Sequence, residues 1–209
     1  MNPTPYLPSG TVYGTLLNFR AEHEALAAQM AQPPYKAPPK APVLYVKTAN
    51  TWSPHGSVIT VPSGVAEVEV EVGASVGLVI GEGGLVGSHV LLNDLSIPHA
   101  SFFRPPVKFK CVDGFLGIGA SLRRPADPSA IRVEVRINGE LKQRIDFSQL
   151  VRPAATLLAG VGEFMTLAPG DVLMLGCDLG RPLARAGDRI DISAPGFETL
   201  SNTLAQETA

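Results

Sequence analysis

The stretch from Glu67 to Ile80 constrains the fold more than any other part of the chain. It opens as Glu67-Val68-Glu69-Val70-Glu71-Val72, a strict alternation, and runs on through Ala74 to Ile80 almost without a polar residue. Successive side chains of a strand point to opposite faces, so the first part separates its glutamates from its valines. The second part has no polar face and needs cover on both sides. A chain built around such a segment must form a sheet with further layers against it. Its 209 residues suffice for one domain with a sizeable core.

The remaining elements read as short. Gly (21) and Pro (19) are frequent enough to impose many turns. Thr11–Asn18 reads as a first strand. Arg20–Met30 is the best helix, because it is rich in alanine and carries Glu22 and Glu24 near its positive N-terminal end. Gln32–Pro42 holds five prolines in eleven residues and predicts an extended surface connector. A short buried strand, Val43–Val46, ends at Lys47. Gly81-Glu82-Gly83-Gly84 is a turn between strands, and Ser88–Asn93 fits either helix or strand. Ile131–Ile137 and Glu140–Ile145 flank Asn138-Gly139, the pair that supplies the positive backbone angles of a two-residue hairpin turn. Gly170-Asp171 and Gly187-Asp188 each feed a short strand. The expectation is one β-rich α+β domain over 11–204, between a 1–10 tail and a 205–209 tail.

Composition excludes several functions. A net charge of −2 without a basic run argues against nucleic acid. The longest apolar stretch, around Val76–Ile80, is too short to cross a bilayer. Met1–Gly10 is Pro-rich and does not read as a signal peptide, so a cytoplasmic protein with Cys111 and Cys177 as reduced thiols is expected. His23, His55, His89 and His99 lack metal-ligand spacing and read as structural or surface residues. No P-loop or dinucleotide fingerprint occurs.

Several blocks in order carry a family resemblance: Asn18-Phe19-Arg20, Lys47-Thr48-Ala49-Asn50-Thr51, Val76 to Gly81, Asn93-Asp94, Lys110-Cys111-Val112-Asp113-Gly114-Phe115, Thr166-Leu167-Ala168-Pro169-Gly170-Asp171 and Gly196 to Asn202. Together they resemble the fumarylacetoacetate hydrolase family. The resemblance implies rolled mixed β-sheets with a few short helices and a pocket at one mouth of the sheets. It also implies pairing, either as a homodimer or with a companion half-subunit. Pro34 to Lys40 and Ser101 to Pro105 narrow it to members that decarboxylate an unsaturated oxo-tricarboxylate and isomerise a hydroxy-diene dioate in bacterial 4-hydroxyphenylacetate breakdown.

The family places a Glu-x-Glu metal-ligand pair before its Val-Ile-Gly strand. Here Gly73 and Ser75 stand in those places, while Asp94 keeps the third ligand position. A divalent metal such as magnesium is expected from the family, with Asp94 as its remaining ligand. A register slip would instead offer Glu69 and Glu71. Lys110 is the candidate for holding charge or a proton on a developing enolate, with Asp113 orienting it. Lys47, Asn50, Arg104, Lys108 and Cys177, which replaces the family's Thr, are candidates for binding the substrate carboxylates. Glu22 falls where hydrolytic members carry a histidine.

Overall fold

A computed structural model describes residues 6–62, 69–99, 106–122 and 127–207. Strand β1 (Val12–Leu16) leads into helix α1 (Arg20–Met30). The Pro-rich connector follows without regular structure. Next come β2 (Val43–Lys47), β3 (Trp52–Pro54), β4 (Val58–Val61), β5 (Val70–Ile80) and β6 (Val86–Ser96). The short helix α2 (Val107–Lys110) precedes β7 (Leu116–Leu122), β8 (Arg132–Ile137), β9 (Glu140–Asp146) and helix α3 (Ala154–Gly162). The chain closes with β10 (Val172–Met174), β11 (Leu183–Ala184), β12 (Arg189–Ser193) and β13 (Leu200–Gln206).

Two mixed sheets result. One has eight strands in the order β2-β1-β10-β5-β6-β7-β3, with β11 pairing β5; the other has five, β4-β13-β12-β8-β9. Parallel pairings of β1 with β10, β3 with β7 and β4 with β13 interrupt otherwise antiparallel ladders. The central strand β5 is the segment that dominated the sequence. The alternating and apolar parts form one continuous strand from Val70, and β5 is buried along nearly its whole length. Glu67 and Val68 lie outside the described residues. Ser88–Asn93, undecided from sequence, belongs to β6.

The two faces of β5 and β6 separate cleanly. Val70, Val72, Ala74, Val76 and Leu78, with Leu91 and Leu95, join Val133, Val135, Ile190 and Ile192 of the five-stranded sheet in the main core. Val79, Val90 and Leu92 turn the other way, toward Val12, Val172, Met174 and Cys177. Gly73 pairs with Asp94 across β5 and β6 and shares this second face.

Local chemistry fixes the connections. Asn138 and Gly139 adopt φ of 53° and 81°, as the tight β8–β9 turn requires. The Asp171 carboxylate accepts from Thr11 N (2.6 Å) and Ala168 N (2.8 Å), which closes the Pro-Gly-Asp turn onto the start of β1. Asn18 donates to Leu175 O (2.8 Å) and accepts from Arg152 N (2.9 Å), tying the end of β1 to two distant segments. Helix α3 was not anticipated. Its two glycines and lack of charge hide a helix whose Leu157 and Val161, four apart, are fully buried.

Candidate functional site

The site gathers on the second face of β6, around one carboxylate. Asp94, Lys47 and Lys110 are each 1% exposed. Lys110 Nζ donates to Asp94 Oδ2 at 2.7 Å, and the Tyr45 hydroxyl donates to the same oxygen. Lys47 Nζ lies 2.9 Å from Oδ1 as an ion pair without directed hydrogen-bond geometry. Both oxygens are therefore engaged by protein groups. Lys47 also donates to Phe115 O (2.8 Å), to Lys110 O and, more weakly, to Leu95 O (3.3 Å). It therefore links β2, the end of β6, α2 and the entry to β7. The Lys110 ammonium also sits 4.8 Å from the Tyr45 ring centroid.

Missing side chains on the neighbouring strands allow this closure. Tyr45 pairs with Gly14 of β1, where a Cβ would stand 2.0 Å from the tyrosine ring. At Gly73 a Cβ would meet Asp94 O at 2.6 Å and Cys177 Sγ at 3.0 Å. Gly73, expected from the resemblance to stand where the family has a glutamate, thus has no room for a side chain in this packing. Ser75 Oγ donates to Gly176 O (2.7 Å) and is committed to holding the loop that carries Cys177. Cys177 Sγ approaches Asp94 Oδ2 at 3.9 Å.

Electrostatics follows from burial and pairing. Burial opposes ionisation of Asp94, but Lys110 and Lys47 outweigh it and hold the carboxyl well below the usual range. Burial pushes the Lys47 ammonium down, against the pull of Asp94. It pushes Tyr45 well up, with the Asp94 charge adding to the effect. Burial also drives the Cys177 thiol up to about 12, so Cys177 is protonated at neutral pH.

A second ion-pair group stands beside the first. Arg181 reaches Glu22 at 2.6 Å and Glu71 at 3.3 Å, and the other Glu22 oxygen accepts from Leu17 N at 2.9 Å. Burial raises the Glu22 pKa against the lowering pull of Arg181. The register decides the question of a slip: Gly73 faces Asp94, Glu71 faces Ser96, and Glu71 is taken by Arg181. Glu22 lines a mostly apolar cavity of about 210 Å³ between α1 and the Pro-rich connector.

The other sequence candidates sit further out. Asn50 and Asp113 are exposed and joined to one another (2.6 Å), and Asn50 also donates to Cys111 O. Lys108 is exposed on α2. Arg104 lies outside the described residues. Sequence reasoning missed Tyr45 and Arg181. Tyr45 was findable, since it lies two residues before Lys47 on one strand and so on the same face. Arg181 reaches the site through a loop fold that no local pattern announces.

Comparison with known proteins places this geometry in a family. The family model for the fumarylacetoacetate (FAA) hydrolase C-terminal domain matches residues 11–205, and the chain belongs to this family. It is 36% identical, over 95% of its length, to the 4-hydroxyphenylacetate degradation bifunctional isomerase/decarboxylase of Salmonella dublin, and 35% identical to that of Escherichia coli. The chain spans about half (48%) of each of these relatives. Among solved structures, the fumarylpyruvate hydrolase of Pseudomonas aeruginosa, in complex with Mn2+ and pyruvate, shares the fold with a TM-score of 0.77 at 21% identity, covering 99% of this chain and 97% of the hydrolase. The 5-carboxymethyl-2-hydroxymuconate delta-isomerase of Mycobacterium smegmatis does so with a TM-score of 0.76 at 22% identity, covering 95% and 80%.

The residues of this chain do not fit the divalent metal that the family implies. A hard cation requires several oxygen ligands, usually including more than one carboxylate when the protein supplies most of them. Gly73 and Ser75 offer no carboxylate, and the Asp94 oxygens are held by two ammonium groups and a phenol. Among the described residues, no group of three His, Cys, Asp or Glu side chains is placed to hold a metal. Nor is any helix among them long and apolar enough to cross a membrane.

Proposed function

We propose that this chain is one subunit of a two-part decarboxylase/isomerase. Its substrates would be the di- and tricarboxylates of 4-hydroxyphenylacetate breakdown, 5-oxopent-3-ene-1,2,5-tricarboxylate and 2-hydroxyhepta-2,4-diene-1,7-dioate. In this reading a companion half carries the metal-dependent step. The single observation that carries the division of labour is the sealed carboxylate. Asp94, the one ligand left from the family's set, is neutralised by Lys47 and Lys110 and capped by Tyr45. The 36% identity to a bifunctional isomerase/decarboxylase, of which the chain spans about half, supports the choice of substrates.

The role of each residue follows from its contacts. Decarboxylation beside a ketone needs an electron sink for the enolate that forms as carbon dioxide leaves. Lys110 could serve only by giving up Asp94, which would leave a buried carboxylate with one ammonium fewer. Lys110 and Lys47 therefore act as internal counter-ions that brace β2, β6 and β7. Lys108 and Asn50, both exposed, remain the positions where this chain would meet a substrate carboxylate or the companion.

The test is turnover of the oxo-tricarboxylate, followed as carbon dioxide release with magnesium present. The expected result is no turnover by the folded chain alone and turnover once the companion half is added. Release by the chain alone that Lys110→Ala abolishes would overturn the reading in favour of an independent enzyme.

A further inference from the structure

We propose that the cavity between β6 and the start of α3 is a binding site for a small monocarboxylate with an apolar body. The cavity measures about 550 Å³ and is lined by Leu78, Val86, His89, Leu150, Ala154 and Leu158, among others. It is remote from the site described above. His89 and Asp94 point to opposite faces of β6 and are separated by roughly 17 Å along the strand, at about 3.4 Å per residue.

Two independent features converge on it. The first is the uncapped end of α3, a helix of nine residues. Pro153 stands at the N-cap and has no side chain able to accept a hydrogen bond. The first backbone bond of the helix runs from Leu157 N to Pro153 O, so the N–H groups of Ala154, Ala155 and Thr156 have no helical acceptor. Free N–H groups at the positive end of a helix favour an anion. The second is His89, which is 2% exposed and lines the same cavity with a buried Nδ1 that has no hydrogen-bond partner among the described residues. A buried polar atom left unpaired in a native fold calls for an explanation, and a bound group is one. Burial lowers the pKa of this imidazole, so at neutral pH it offers one N–H and one acceptor nitrogen.

The surroundings define the ligand. Most of the lining is aliphatic, which suits an aromatic or branched hydrocarbon body. Asp127 also borders the cavity and receives Ser129 N (3.0 Å) and Ser129 Oγ (2.7 Å), so it remains a fixed negative charge. That charge repels a second carboxylate. The fit is to one carboxylate at the α3 terminus, with the hydrocarbon packed against Leu78, Leu150 and Leu158.

The test is a ¹H–¹⁵N NMR titration of the full chain with phenylacetate, against benzyl alcohol as the neutral analogue and homophthalate as the dianion. Saturable shifts at the Ala154, Ala155 and Thr156 amides and the His89 ring are expected. Both analogues should bind at least about tenfold more weakly, since each loses or opposes the charge-assisted contacts. Leu158→Trp should fill the cavity and abolish the shifts in a protein that keeps its folded spectrum. His89→Leu, which removes both ring nitrogens, should weaken phenylacetate about tenfold while leaving benzyl alcohol unchanged. Absence of saturable shifts, equal binding of benzyl alcohol, or phenylacetate affinity unaltered by His89→Leu would each overturn the assignment.

Discussion

Replacing Asp94 with asparagine tests the sealed carboxylate directly. The change keeps shape and hydrogen-bonding capacity but leaves Lys47 and Lys110 buried without their counter-charge. At separations of 2.9 and 2.7 Å, each attraction is worth roughly 6 kcal/mol in an effective dielectric of about 20, before the cost of removing the charges from water. Desolvation offsets much of that, and breaking buried ion pairs by removing one partner typically costs about 3–5 kcal/mol. A domain of this size has only about 5–15 kcal/mol of stability, so the variant should unfold at markedly lower urea concentration. Converting Lys110 to methionine in the Asp94→Asn background should recover part of the loss, because it removes one stranded ammonium. A cost below about 1 kcal/mol, or no recovery in the double variant, would refute the reasoning. The pH dependence carries the same signature. Because the folded-state pKa of Asp94 is lowered, its contribution is present above the unfolded value of about 3.9 and is lost as pH falls through the folded value. Acid unfolding of Asp94→Asn should lack that component.

Three further outcomes follow from the same geometry. Gly73→Ala should cost about 1–3 kcal/mol in chemical denaturation, since its Cβ would press on the Asp94 carbonyl oxygen at 2.6 Å, and Gly73→Glu should be worse even in the presence of manganese. Cys177→Ala should flatten the alkaline limb of the stability profile. The raised thiol stabilises the fold below its ordinary pKa of 9.0, and that stability is lost as pH rises through about 12, a term visible by comparing the two proteins in denaturant melts. Arg181→Met should strand the buried Glu22 carboxylate and destabilise the chain by about 3–5 kcal/mol, with Glu22→Gln in the same background restoring much of it in urea melts.

Much of the architecture was legible in the sequence because the signals were local. Period-two patterning marked β5, Asn138-Gly139 marked the β8–β9 hairpin, and helix-forming composition marked α1 at the bounds it takes. Helix α3 was hidden because Gly160, Gly162 and the lack of charge mask its run of Ala and Leu, and burial of Leu157 and Val161 secures it. The alternating and apolar parts of the stretch differ in pattern at Gly73, yet they form one strand, β5. In the fold Gly73 is a point of close approach to β6. At the site, the order of motifs brought Lys47, Asp94, Lys110 and Cys177 onto one list, and the structure brings all four together. Their mutual neutralisation was not legible. It depends on contacts between residues 16 to 83 positions apart in the chain, and on Gly14 and Gly73 leaving room for Tyr45 and Asp94. The position of Arg181 between Glu22 and Glu71 likewise exists only once β1, β5 and the loop after Cys177 have met.

The most direct measurement is a titration of the purified chain with Mn2+, read as the free-ion signal in electron paramagnetic resonance. Closure of Asp94 by Lys47, Lys110 and Tyr45 predicts a signal that grows in proportion to added manganese, with no stoichiometric loss and no difference between the chain and Asp94→Asn. Stoichiometric quenching that Asp94→Asn abolishes would contradict the account and return the metal-dependent step to this chain.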